Sequence, residues 1–359
     1  MAEIYTADFG GISPDLHARI GKIASAVCAY IESESDLLAK RGTYADLLYN
    51  VQKSNHATEA LVSSNEFGTL PIVEEGGKAG TLTMKELRKI IISHHQFLGE
   101  FIVTETMIED SNFAEMERIS RNMVRSYYRT RNKFAEAAIL GGLAGSFVFA
   151  GKTHSAKAID GISLFNVGHL YTEDDLTQSN RFSDVRGSGV DCDAAYLADA
   201  LTVLASKGRM FKDEVGDPTG YLFDTILIPG GNGKLEANIK KAVGTFNVPG
   251  SSNNDINLQY GLWNIVTLPD WTSNKNEFIL MSSDANRQLS GNVFFDRVPF
   301  GVRSTPIIDT ASLKSVGRAR MGIGFGSYKH ILHFESLAYG ETTLTDGGTA
   351  GTDSTDVVI

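Results

Sequence analysis

Behind Ser13-Pro14, apolar residues recur at Leu16, Ile20, Ile23, Val27 and Tyr30. Steps of three and four predict a helix, with Ser as its cap and Pro at the first helical position. Leu37, Leu38, Tyr44, Leu47 and Leu48 predict a second amphipathic piece. The pattern then changes. In FGTLPIVEEGGKAGTLTM, residues 67–84, two short extended stretches flank Glu75-Gly76-Gly77-Lys78, which predicts a hairpin turn. The tip has too few large apolar residues to pack a core alone, so the hairpin is expected to project from the body. Thr83-Met84-Lys85-Glu86 fits a capping box, and the pattern over 84–98 suits helix or strand.

The longest periodic run is SNFAEMERISRNMVRSYYRTRNKFAEAAILGG, residues 111–142. Phe113, Met116, Ile119, Met123, Tyr127, Phe134 and Ala138 fall on one helical face. Asn112 with Glu115 makes a cap-like start and Gly141-Gly142 the stop. Such a helix runs roughly 40 Å at 1.5 Å per residue. Arg118, Arg121, Arg125 and Arg129 form a basic stripe along it. The stripe reads either as a surface facing nucleic acid or as a solvated face held by pairs such as Glu117 with Arg121. Downstream the texture turns to strands, turns and shorter helices. Residues 191–207 predict an amphipathic helix, 221–229 and 277–282 predict buried strands, and 318–335 alternates in places. The last twenty residues are small, polar and acidic, a composition that predicts a disordered tail.

Composition narrows the chemistry. A chain of 359 residues with 42 % hydrophobic and 21 % charged residues builds a real core. No apolar run is long enough to span a bilayer. Cys28 and Cys192 lie far apart, which implies a reducing compartment and no disulfide framework. A net charge of −10 argues against condensation on nucleic acid. GSFVFAGKTHSA, residues 145–156, suggests a phosphate-binding loop, but five residues separate Gly145 from Gly151 where the motif needs four. Its interior reads as a strand instead. GIGFG at 322–326 misses the dinucleotide fingerprint because Ser327 stands where Gly is needed, and no Gly-x-Ser-x-Gly elbow occurs. His94-His95, His330 and His333 lack the spacing of a metal site. The residues therefore predict no catalytic group, cofactor or metal, and no enzyme.

The order of elements carries more than any motif. An N-terminal arm leads to a projecting hairpin, then to TETMIEDS and the long helix ending in ILGG. DGISLFNVGHLYTEDDLTQSN follows, with Asp160-Gly161, Leu164-Phe165, His169 and Asn180, and then FDTILIP, IVTLPDWTSNKNEFILMSSD and DTASLKSVGRARMGIGFGSYKHILHFE. Over roughly residues 60–336 this order resembles the major capsid proteins of tailed phages, the Hong Kong 97-type fold.

The resemblance implies an α+β fold with an N-terminal arm over 1–63 and an extended loop over 64–103. It further implies a peripheral domain over 104–212 and 298–339 with its spine helix at 111–140, an axial domain over 213–297, and a tail over 340–359. It implies self-assembly through hexamers and pentamers into an icosahedral shell around double-stranded DNA, with Glu75, Gly76, Gly77 and Lys78 at subunit contacts. The arginine stripe would face the interior and touch DNA weakly and without sequence preference. Expected partners are further copies, scaffolding and portal proteins and the packaged DNA, with no membrane. The expected location is the virion, with the host cytoplasm during assembly. The same fold used as an encapsulin-like compartment is the alternative, and a P-loop-type enzyme is the less favoured one. His169 is read as a residue that ties down a turn, not as a catalytic base.

Overall fold

The computed structural model describes residues 3–4, 27, 29–40, 42–64, 70, 72–75, 77–78, 86–104, 106–107, 110, 113–172, 176–186, 192–247, 256–307 and 312–338. The helix start at Ser13-Pro14, the cap at Asn112, Cys28, Gly76 and the 340–359 tail lie outside them. The chain is α+β and divides into two compact units. One comprises Met1–Glu59, Ile92–Ala135 and Phe294–Ile323, the other Ala60–Ile91, Glu136–Val293 and Gly324–Ile359.

The first unit holds α1 (29–40) and α2 (Tyr44–Leu48), separated by a turn in which Thr43 and Asp46 form a reciprocal capping box. Its sheet contains β1 (Glu3–Ile4), β2 (Asn50–Lys53), β5 (His95–Thr104), β14 (Asn292–Ile307) and β15 (Ser312–Phe325), in the order β1-β14-β15-β5 with β2 also on β14. β15 and β5 run antiparallel, from Ser312 opposite Thr104 to Met321 opposite His95. The predicted long helix is α3 (Phe113–Leu140), followed by one 3-10 turn at Gly141–Leu143. On its predicted face Met116, Phe134 and Ala138 are buried, and Ile119, Met123 and Tyr127 are half-buried. Met116 and Val124 join Val27, Ile31, Val103, Val302 and Leu313 in one apolar cluster.

Periodicity did not identify Arg131 as part of the buried face. Its guanidinium donates to both oxygens of Asp296, at 2.7 and 2.8 Å, and to Asp46 at 3.3 Å, and lies 4.4 Å over the Phe294 ring. Burial works against the charge, but Asp296 and Asp46 more than restore it, so the group is held even more firmly protonated than usual. Around it the Tyr49 hydroxyl donates to the Ala135 carbonyl at 2.7 Å. These bonds fix the helix in register.

The second unit is built on a sheet in the order β10-β16-β13-β11-β12. Its strands are β10 (Arg181–Arg186), β11 (Thr225–Pro229), β12 (Asn264–Leu268), β13 (Asn276–Met281) and β16 (Ile331–Ala338). α4 (Ala194–Arg209) and α5 (Gly233–Gly244) bury Leu197, Leu201, Leu204, Leu235 and Ile239 with Ile226, Ile228, Phe278, Leu280, Leu332 and Phe334. β11 and β12 are parallel, which requires a crossover, and α5 supplies it.

These contacts do not follow the partition of 104–212 with 298–339 against 213–297. β10, α4 and β16 belong with β11 and β13, because β16 pairs along its length with both β10 and β13. Of the 84–98 stretch, Glu86 onward is strand apart from His94: β4 (Glu86–Ser93) pairs with β3 (Thr58–Ser64), and β5 begins at His95. The β-branched run Ile90-Ile91-Ile92 finds strand partners, and that outweighs the helix-start signal. The hairpin therefore spans β3 to β4, and β5 from the expected 64–103 loop belongs to the first unit's sheet.

Candidate assembly surfaces

The hairpin of β3 and β4 is a two-stranded sheet, too small to be stable on its apolar content alone. Val62 and Ile91 are exposed on its strands, and Leu70, Ile72 and Val73 towards its tip, with Ile72 fully exposed. The Gly77 N–H closes the turn onto the Glu74 carbonyl at 2.8 Å. A Cβ on Gly77 would lie 2.5 Å from Val73 Cγ1, so the turn needs glycine. Glu75 and Lys78 are exposed beside it. Of the four residues expected at this contact, Gly76 lies outside the described residues.

A second surface lies between α5 and β12, and the motif search gave no hint of it. Ile256, Leu258, Tyr260 and Leu262 are exposed, Leu258 by 79 %, while Asn257 and Gln259 between them are buried. Asn257 donates to the carbonyls of Ala242 and Thr245 at 2.6 and 2.9 Å, capping the end of α5, and accepts the Gln259 N–H at 3.0 Å. Gln259 donates to Thr202 Oγ1 at 2.8 Å and accepts from the Trp263 indole at 2.6 Å. The amides thus hold the segment down while the apolar side chains face out, joined by exposed Phe246, whose ring meets Tyr260 edge-on at 5.8 Å. The signal available in the sequence was the alternation Ile-Asn-Leu-Gln-Tyr. It gives the period of the segment but not which side faces inward.

The arginine stripe is largely paired. Arg118 binds Glu115 at 2.8 Å, Arg121 binds Glu117 at 2.8 Å and Glu34 at 3.1 Å, and Arg125 binds Glu34 at 2.6 Å. Glu34 is buried, and its hydrogen bond with Arg125 leads the interactions that hold its carboxyl below the ordinary value. Arg129 is exposed. The first three of these residues thus have carboxylate partners.

The P-loop-like stretch folds as a hairpin. β6 (Ser146–Phe149) and β7 (Lys152–Ser155) pair across a turn in which Ala150 and Gly151 both take positive φ. The loop that would curl around a phosphate is absent here. Among the described residues no group of three or more His, Cys, Asp or Glu could hold a metal, and no helix is long and apolar enough to cross a membrane. His94, His169, His330 and His333 are all buried and engaged with Ser54, Asp160, Asn292 and Glu277 respectively. His169 does tie down its turn, through Asp160 and the Leu164 carbonyl.

No family model matches the chain, and no curated protein does. Among solved structures it is similar to the capsid of Myoviridae phage XM1, at 12 % identity over 82 % of this chain and 92 % of that one, with a TM-score of 0.48. It is similar also to the capsid of the cyanophage P-SCSP1u, at 11 % identity over 81 % and 87 %, with a TM-score of 0.46. A Mycobacterium phage Adephagia structure matches at 12 % identity over 83 % and 90 %, with a TM-score of 0.47.

Proposed function

We propose that this chain is a major capsid protein of the Hong Kong 97 type, which assembles through hexamers and pentamers into the icosahedral shell around phage double-stranded DNA. One observation carries the reading. Two separate excursions, the hairpin tip and the 256–262 segment, present apolar side chains outward from backbones fixed by glycine geometry or by buried amides. Patches of that kind on a soluble chain call for partners, and repeated contacts between identical copies close into symmetric assemblies. The element order, hairpin before long helix before a second helix-and-sheet unit, agrees with it. In this reading the partners are other copies first, then scaffolding and portal proteins, and the chain works in the virion after assembly in the host cytoplasm. DNA contact is weak, since three of the four stripe arginines already have carboxylate partners.

Electron microscopy of purified protein, alone and with a co-expressed scaffolding protein, tests it. Closed shells of uniform diameter are expected, and a chain that stays monomeric at high concentration under both conditions overturns it. The encapsulin-like alternative differs in content: co-purified protein cargo in place of DNA would favour it. An enzyme of P-loop type would need ATP turnover that Lys152→Ala removes, and Lys152 opens the second strand of a β-hairpin, next to its turn.

A further inference from the structure

A side chain of β4 reaches across to another part of the second unit. Arg88, half-buried near the start of the strand, donates from Nη1 to the Leu170 carbonyl at 3.0 Å and from Nη2 to the Thr172 carbonyl at 3.1 Å. The two acceptors lie on the outer edge of a small ladder, β8 (His169–Leu170) against β9 (Thr177–Gln178). The Tyr171 N–H points to the Leu176 carbonyl at 3.0 Å, so the carbonyls on either side of Tyr171 turn away from β9. A planar guanidinium presents its N–H groups as a fork to such a pair. The edge itself is braced. The Tyr328 hydroxyl donates to the Leu170 carbonyl at 3.4 Å and accepts from Gln178 Nε2 at 2.8 Å. Gln178 in turn accepts the Lys212 N–H at 2.9 Å and donates to the Lys212 carbonyl at 3.1 Å.

We propose that Arg88 is a latch: its fork on the Leu170 and Thr172 carbonyls sets the direction in which β3 and β4 project, and so positions their apolar side chains for contact with a second copy of the chain. β3 and β4 form a two-stranded sheet of their own and take no direction from a wider sheet. Ile92 is buried at the foot of β4, whereas Ile91 and Val62 are exposed. An attachment at the foot alone acts as a hinge. Arg88 adds a second attachment four residues further out, about 13 Å along the strand, and two points fix a direction. The receiving edge is already braced by Tyr328 and Gln178, so closing the latch orders the Arg88 side chain and little else. The latch itself needs no shell; its consequence for a second copy rests on the shell reading.

Distances between spin labels test the latch in unassembled, full-length protein. One label goes on Glu86→Cys, at the outer end of β4, and one on Lys240→Cys, exposed on α5, with Cys28→Ser and Cys192→Ala to remove the native thiols. With Arg88 intact, one narrow distance distribution is expected. Arg88→Met and Arg88→Gln, which cannot fork across two carbonyls, should each widen it about twofold or more. A control pair on Lys207→Cys and Lys240→Cys should keep its width, and the urea midpoint should not move. A parent-like width in either variant overturns the proposal; so does a broad distribution with Arg88 intact, whether or not the variants fold. Electron microscopy then reads the consequence: at an unchanged midpoint, Arg88→Gln should lower the yield of closed shells about tenfold. A full yield from that variant overturns the positioning role. A protein with Arg88 intact that forms no shells counts against the proposed function, and the label distances alone then decide the latch.

Discussion

In β13 the side chains of Phe278 and Leu280 enter the core of the second unit, and the carboxylate of Glu277 is held by the Trp271 indole at 3.2 Å and by His333 at 3.2 Å. In the 256–262 segment of the same unit the amides go in and the apolar groups go out. β13 is buried on both faces from Glu277 to Met281, whereas the 256–262 segment alternates between buried amides and exposed apolar groups. What orients them is the supply of partners for the polar groups: Asn257 and Gln259 face unpaired carbonyls at the end of α5, a hydroxyl and an indole, and leaving those unpaired in a buried place would cost more than exposing Leu258. A surface made this way has apolar groups in fixed positions.

The comparison is broken or upheld most directly by assembly. Leu258→Asp, and separately deletion of residues 72–80, should leave the cooperative unfolding transition in place within about 0.5 kcal/mol and yet abolish shell formation, read by electron microscopy and light scattering. Phe278→Ala should do the reverse at the level of the chain, lowering stability by about 3–5 kcal/mol in urea titration because a fully buried ring is lost from a close-packed sheet. If Leu258→Asp assembles normally, the outward pattern is not an assembly surface.

Arg131 gives the next effect. Arg131→Met leaves Asp296 without its bidentate partner and should destabilise the chain by about 3–5 kcal/mol, whereas Arg129→Met, two residues earlier on the same helix, should change little. Thermal unfolding of the two variants side by side decides it.

The extent of α3, the strands at 225–229 and 276–281 and the helix from 194 were legible because long periodic runs bounded by Gly, Pro or Asn leave little choice. The 145–156 stretch was legible for the same reason, through its strand-like interior. Arg131 was not, because its burial depends on Asp296, 165 positions away in sequence. Nor was the unit boundary, which follows the pairing of β16 with both β10 and β13. At the hairpin, the turn glycines pointed to the excursion; at 256–262, Asn and Gln gave no sign that they would point inward.

Acidification should act on two buried histidines, His330 and His94. His330 is wholly buried beside Gly291, where a Cβ would stand 2.4 Å from Nδ1, and its Nε2 bonds Asn292 Oδ1 at 2.8 Å. Burial pushes its pKa down to about 3, and burial also lowers that of His94. The folded chain keeps the His330 ring neutral while the unfolded chain takes up a proton below about pH 6.5, so stability falls as pH drops from about 6.5 towards 3, and His94 acts in the same direction. The expected slope approaches about 1.4 kcal/mol per pH unit for each ring that stays neutral. His330→Leu should flatten the fall between about pH 6.5 and pH 5, a range above the ordinary titration of carboxylates, in urea midpoints corrected for the variant's own stability at neutral pH. An unchanged slope in that variant would mean the ring is not held neutral.

The smallest effect concerns DNA. Arg118, Arg121 and Arg125 already satisfy carboxylates, so a phosphate would have to compete with Glu115, Glu117 and Glu34. Among the described residues that leaves Arg129 as the member of the stripe without a carboxylate partner, on a chain of net charge −10. Each phosphate contact contributes roughly one unit to the slope of log affinity against log salt. Unassembled protein should therefore show a slope of about one to two, no sequence preference, and no retention on duplex DNA at moderate salt. Arg129→Gln should lower that slope by about one, and Glu34→Gln, which loosens Arg121 and Arg125, should raise it. Tight, sequence-selective binding by free subunits would contradict the pairing seen along α3 and would make the helix a nucleic-acid reader.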